Sequence, residues 1–201
     1  MSEALFAAVR SGDVDALRAL LADDPELASA QEDGVSAVLV ALYHRQDAAR
    51  AELLAAGARI GPLEAAALGD PAKLDVNARG ADGFTSLHLA AFFSGAATVR
   101  ALLAAGADPN ADAENPLRVR PLHSAVAAHD RESATALLEA GADPNVTQRG
   151  GFTPLHGAAH AGDAEMVALL LAHGADPSLT TDDGRDARAL AEGAAAAALD
   201  G

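Results

Sequence analysis

GFTPLHGAAHAGDAEMVALLLAHGAD, residues 151–176, is the stretch that decides the fold. Thr153 stands where its hydroxyl caps a helix, and Pro154 suits the first turn, where no backbone donor is needed. Leu155 then faces inward. A second apolar run closes on Leu170-Leu171. Three residues later comes Gly174, which is free to take the left-handed conformation that ends a helix. Asp183-Gly184 announces a tight turn before the next cycle. The unit is therefore turn, helix, short turn, helix.

The unit recurs outward from this stretch. The second leucine of a Leu-Leu pair falls at Leu21, Leu54, Leu103, Leu138 and Leu171, with separations of 33, 49, 35 and 33 residues, so the basic period is 33. Gly57, Gly106 and Gly141 repeat the helix stop. Asp33-Gly34, Asp82-Gly83 and Gly150-Gly151 repeat the tight turn. Helix pairs are predicted at about 36–56, 62–75, 85–105, 120–140 and 153–173, with a cap at 3–22 and a frayed last pair from 186. Each pair buries apolar surface only against its neighbours, so residues 1–201 are expected to form a single domain of about six to seven repeats, with atypical ends.

GFTSLHLAAFFSG (83–95), RPLHSAVAAHD (120–130) and GFTPLHGAAHAGD (151–163), followed by LL and GADPN or GADPS, resemble ankyrin repeats. The likeness is strongest from Asp82 to Asp176. It implies an all-α solenoid of stacked helix pairs with projecting hairpin fingers, acting as a protein-binding scaffold. It also implies a structural hydrogen-bonding role for His88, His123 and His156, and it carries no catalytic site.

Two irregularities interrupt the period. The separation of 49 between Leu54 and Leu103 falls 17 short of two repeats, and the loss lies near 58–81. There ARIGPLEAAALGD (58–70) has no Asp-Gly turn, and Pro71 tolerates only a helix start. This is either a deletion repacked by Leu74 and Val76, or a hinge or docking notch. The second is a lengthened finger, ADAENPLRVR (111–120), carrying Arg118 and Arg120. These arginines are candidates for binding, or they neutralise Asp112 and Glu114.

Fourteen basic residues against twenty-nine acidic ones give a formal charge of −15, which repels nucleic acid and anionic membrane surfaces. No cysteine offers a nucleophile or thiolate ligand. Neither a signal peptide nor an apolar run near 18 residues is present, so the expected location is cytoplasmic.

The resemblance also implies which positions face the concave groove: Val35, Phe84, Val119, Phe152 and Arg185 on the fingers, and Tyr43-His44, Phe92-Phe93, Ala127-Ala128 and His160-Ala161 on the inner helices. Five of the six aromatic residues fall there. Tyr43, His44, Phe84, Phe92, Phe93, Arg118, Arg120, Phe152 and His160 are therefore the candidate partner-binding residues, because exposed aromatics anchor protein interfaces. The expected partner is a protein with a basic or amphipathic surface, and the chain is expected to be a monomer.

Seven histidines invite a catalytic or metal reading. His156 and His160 lack a third ligand, so they make a poor zinc site. His129 and His173 fall at helix ends in solvent, and the acid pairs Asp23-Asp24 and Asp182-Asp183 read as solvated caps. No GxSxG, Walker or dinucleotide motif is present. The expectation is a binding module with no cofactor, metal or catalysis. The alternatives are a His-carboxylate enzyme around His156, His160 and Asp163, or a purely structural scaffold.

Overall fold

Asp13, Asp130 and Asp163 each accept the backbone N–H three residues on, from Ala16, Ser133 and Met166 at 2.9–3.0 Å, and each thereby starts a helix. In the computed structural model, which describes residues 1–200, these starts separate the members of successive helix pairs. The pairs are α1 (Ser2–Ser11) with α2 (Val14–Asp23), and α3 (Ala37–Tyr43) with α4 (Asp47–Ala55). Helix α5 (Pro62–Leu68) follows with no full partner. Next come α6 (Ser86–Leu89) with α7 (Ala96–Ala104), α8 (Pro121–Ala127) with α9 (Arg131–Glu139), α10 (Pro154–His160) with α11 (Ala164–Ala172), and α12 (Ala187–Leu190) with α13 (Ala194–Ala198). The first helix of each pair forms an inner layer and the second an outer one, as in the all-α repeat stack read from the sequence.

The helix-stop glycines behave as their position requires. Gly57, Gly106, Gly141 and Gly174 all take the left-handed conformation, with φ between 85° and 93°. Between pairs the chain projects as short fingers. The first is a two-stranded hairpin, β1 (Gln31–Glu32) and β2 (Val35–Ser36), pairing Gln31 with Ser36 across a turn in which Asp33 and Gly34 are both left-handed. Single antiparallel bridges, Arg79 to Thr85 and Thr180 to Asp186, make two later ones.

The shortened segment has lost an outer helix. After α5, only a 3₁₀ turn at Pro71–Lys73 stands where α2, α4, α7, α9 and α11 each run nine or ten residues. Leu54 on α4 is consequently 36% exposed, whereas the equivalent Leu138 on α9 is buried. Leu74 and Val76 pack against the C-terminal core, as the repacked reading expects, while Ile60 and Leu68 pack against the N-terminal one. The finger before α5 is also missing. The flanking fingers close over its place: a β-carbon on Gly34 would come within 2.6 Å of that of Ala81.

The lengthened finger is tied down on both sides. Backward, Glu114 N–H donates to the Gly83 carbonyl at 3.1 Å and the Asn115 side-chain amide to the Asp82 carbonyl at 2.9 Å. Forward, the Leu117 carbonyl accepts from Arg149 N–H at 2.8 Å. Gly83 carries the approach: its φ is 84°, and a β-carbon would lie 2.6 Å from the Glu114 carbonyl group. Gly83→Ala is therefore expected to cost about 2–4 kcal/mol, combining left-handed strain with backbone overlap. Urea denaturation measures this, and an unchanged midpoint would mean that the finger yields freely.

Candidate functional site

The groove is built on a ladder of three histidines that fixes the C-terminal fingers. His88, His123 and His156 are buried, each on the first turn of an inner helix. In each, Nδ1 accepts the N–H of the capping residue, Thr85, Arg120 or Thr153, at 3.1–3.3 Å. With Nδ1 an acceptor, Nε2 carries the proton and donates to a carbonyl of the next finger: Val119 at 3.0 Å, Phe152 at 3.2 Å and Arg185 at 3.2 Å. Burial opposes a charged ring, and it holds His88 and His123 down to about 4. A second ladder runs through the finger bases, where Asn110 and Asn145 donate to the Gly141 and Gly174 carbonyls and accept from Asp143 and Asp176 N–H. In the first three repeats the histidine position holds Phe6, Leu39 and Glu64, none of which donates to the next finger.

Four of the predicted aromatics converge on one place. Tyr43, Phe84, Phe92 and Phe93 line a cleft of about 190 Å³ together with His88, Leu89 and Ser124. The Phe93 ring lies 5.8 Å from Tyr43 and 4.7 Å from Phe92, and Tyr43 Oη donates to Asp82 at 2.5 Å. Tyr43 belongs to the second inner helix and Phe93 to the fourth. The two meet because the finger between them is missing and the apolar side chains that α5 buries are no larger than Ala65, Ala66 and Ala67, with Glu64 beside them.

The aromatics are not uniformly exposed, as interface anchors were expected to be. Tyr43 is exposed, but Phe84, Phe92, Phe93 and Phe152 are half-buried. Phe84 and Phe93 pack against a small cluster of Leu39, Leu42, Ala67 and Leu89 that joins the repeats on either side of α5. They hold the stack together as well as lining the groove. Phe152 stands apart, beside His156.

Sequence reading did not anticipate how Phe92 and Phe93 are presented. Helix α6 continues through a π turn at Ala90–Ser94 and ends on Gly95, whose φ is 86°. Elsewhere the inner helix ends on a left-handed residue, Gly12, Arg45, Gly69, His129 or Gly162, at one fixed position of the repeat, whereas Ser94-Gly95 places the left-handed glycine one residue later. The helix widens to absorb the extra residue, and the Ser94 hydroxyl donates to the Ala66 carbonyl at 2.7 Å. That displaced glycine was the available signal.

The remaining candidates scatter. Arg118 and Arg120 both pair with Asp112, at 3.5 and 3.2 Å, which bears out the neutralising reading for Asp112; Glu114 pairs with Arg79 instead. Exposed Leu117 at the same finger tip was not foreseen. His44 is exposed, and exposed His160 lies 3.8 Å from Glu192. His129, expected to be solvated, is exposed but sits 3.2 Å from Asp163. Asp163 is thus occupied by His129 and by capping α11, and His156 is locked in its ladder, so His156, His160 and Asp163 do not assemble a site. Among the described residues, no group of three or more histidines and carboxylates is placed to hold a metal ion, and no helix is long and apolar enough to cross a membrane.

Comparison with known proteins agrees with this architecture. Families described as ankyrin repeats match residues 65–148 (three copies) and 137–191 (many copies). The chain belongs to the ankyrin repeat family. The ankyrin repeat domain of Bcl-3, described as a unique member of the IkappaB protein family, is similar to it across 98% of both chains, at 25% identity and a TM-score of 0.63. No curated protein matches. Ankyrin repeats are generally protein–protein interaction modules and typically not enzymes.

Proposed function

We propose that this ankyrin stack is a single domain that works as a cytoplasmic, monomeric binding module and seats a partner protein in its groove, centred on Tyr43, Phe84, Phe92 and Phe93. The open aromatic cleft carries the reading. Half-buried rings on an already packed surface offer contact area at low entropic cost, which is how interface anchors work. Because the chain carries −15 charges, the partner presents a basic or amphipathic surface. His44 and His160 extend the contact along the inner helices, and Phe152, Arg118 and Arg120 do so on the fingers.

Co-purification from native lysate identifies the partner, and Phe92→Ala tests the site. Phe92 is chosen alone because Phe93 also packs in the stack. The variant is expected to keep its helical spectrum and to weaken partner binding by about 2 kcal/mol or more. Unchanged affinity in a folded variant would move the interface off this cleft. Association is also expected to slow as salt rises, and an on-rate indifferent to ionic strength would remove the acidic field from the mechanism.

A further inference from the structure

Rings that line a cleft present either a greasy wall or an electron-rich one, and the surroundings decide which chemistry fits. Three features bear on the cleft between Tyr43 and Phe92. No lysine or arginine lines it, and the one cation–ring contact among the described residues, Arg10 over Phe6, lies in the first helix. The faces of Tyr43, Phe84, Phe92 and Phe93 are therefore not already spent on a cation of this chain. Asp82, just outside the lining, holds a carboxylate against the Tyr43 hydroxyl. Its bond from Tyr43 Oη at 2.5 Å orients it and adds electron density to that ring, and Phe84 N–H fixes its other oxygen at 3.2 Å. Finally, the one histidine in the wall, His88, is buried and donates Nε2–H to Val119, so it is neutral near neutral pH and adds no positive charge.

We infer that this cleft is an aromatic pocket for an organic cation, taking the alkylated ammonium or guanidinium head of a partner's side chain against its ring faces. The inference rests on the groove being the binding surface and names what enters it. A ring face attracts a cation within about 6 Å of its centroid, and the attraction strengthens when the cation is desolvated. A bare metal ion finds no set of oxygen ligands in these walls, whereas an alkylated ammonium fits both the apolar lining and the negative ring faces. A volume of about 190 Å³ accommodates such a head group rather than a whole helix.

The test uses two probes of nearly the same shape, choline and its uncharged carbon isostere 3,3-dimethylbutan-1-ol, titrated into the full chain at constant ionic strength. Tyr43 is the only tyrosine and there is no tryptophan, so intrinsic fluorescence reports on the pocket itself. Choline is expected to bind about tenfold more tightly than the isostere. Phe92→Leu keeps apolar bulk but removes the ring; it should reduce choline affinity several-fold and leave the isostere almost unaffected. If Phe92→Leu does not fold, Tyr43→Leu serves, read by phenylalanine ring proton shifts. Equal or tighter binding of the neutral isostere would overturn the cation assignment, and so would the absence of any response to choline at millimolar concentration. Should Phe92→Ala abolish partner capture while the two probes bind alike, the groove stands as the protein-binding surface and only the cation assignment falls.

Discussion

Between about pH 7 and pH 5 the protein is expected to lose on the order of 4 kcal/mol of stability, concentrated in the C-terminal repeats. The cause is His88 and His123, held at about 4 in the folded chain against an unperturbed 6.5. Above 6.5 both folded and unfolded rings are neutral, and nothing is gained or lost. Below it the unfolded chain binds protons that the folded one refuses, so stability falls as pH falls, and it continues to fall until the folded rings titrate near 4. Each ring contributes roughly 1.4 kcal/mol per pH unit across that window. Protonation would place a hydrogen on Nδ1, opposite the N–H of Thr85 or Arg120 that it now accepts. Urea denaturation at the two pH values measures the loss, and His88→Gln with His123→Gln should flatten the profile while lowering stability at pH 7. A wild-type midpoint identical at both values would show that these rings are open to protonation in the folded state.

The same ladder shows what the sequence made legible. All three histidines were visible in the same slot after the inward leucine, and the ankyrin resemblance implied that each would hydrogen-bond structurally, as each does to the next finger. The left-handed glycines and the lost helix near Pro71 were equally visible, since each depends on residues adjacent in the chain. The cleft was only half legible. Tyr43 and Phe93 were each assigned to the groove, but their contact spans 50 positions and exists because a finger between them is absent. Periodicity describes what a repeat contains and says little about how neighbours close over what it lacks. The π turn was hidden for a related reason: Ser94-Gly95 preserves the repeat length, so the alignment stays in register while the helix changes its pitch. Arg118 and Arg120 were read either as binding residues or as partners of Asp112 and Glu114, and folding brings both to Asp112 while Arg79 takes Glu114.

Amide exchange is expected to begin in the shortened repeat, with residues 71–80 exchanging first and the segments around Leu102 and Leu137 last. A solenoid is stabilised by the sum of its nearest-neighbour interfaces, so its weakest interface sets where it opens. On one side of α5 lies an apolar core running from Leu5 to Leu53, and on the other a core running to Ala195 that takes in Ala66 of α5 itself. Between them α5 buries only Ala65, Ala66 and Ala67 completely, side chains that cover little area and therefore contribute little burial energy. No outer helix spans the gap, and neither the histidine nor the asparagine ladder reaches back across Glu64. What ties the halves lies on the groove side: the Leu39, Leu42, Ala67 and Leu89 cluster, with Phe84 and Phe93 packed on it and Tyr43 bonded to Asp82. A partner filling the cleft would bridge those same residues, so binding should protect residues 62–80 from exchange more than it protects the C-terminal repeats. Exchange followed by mass spectrometry, with and without partner, resolves both effects at peptide level. Uniform protection across residues 60–110, together with one cooperative unfolding transition, would mean that the small groove-side cluster suffices to weld the two cores into one unit.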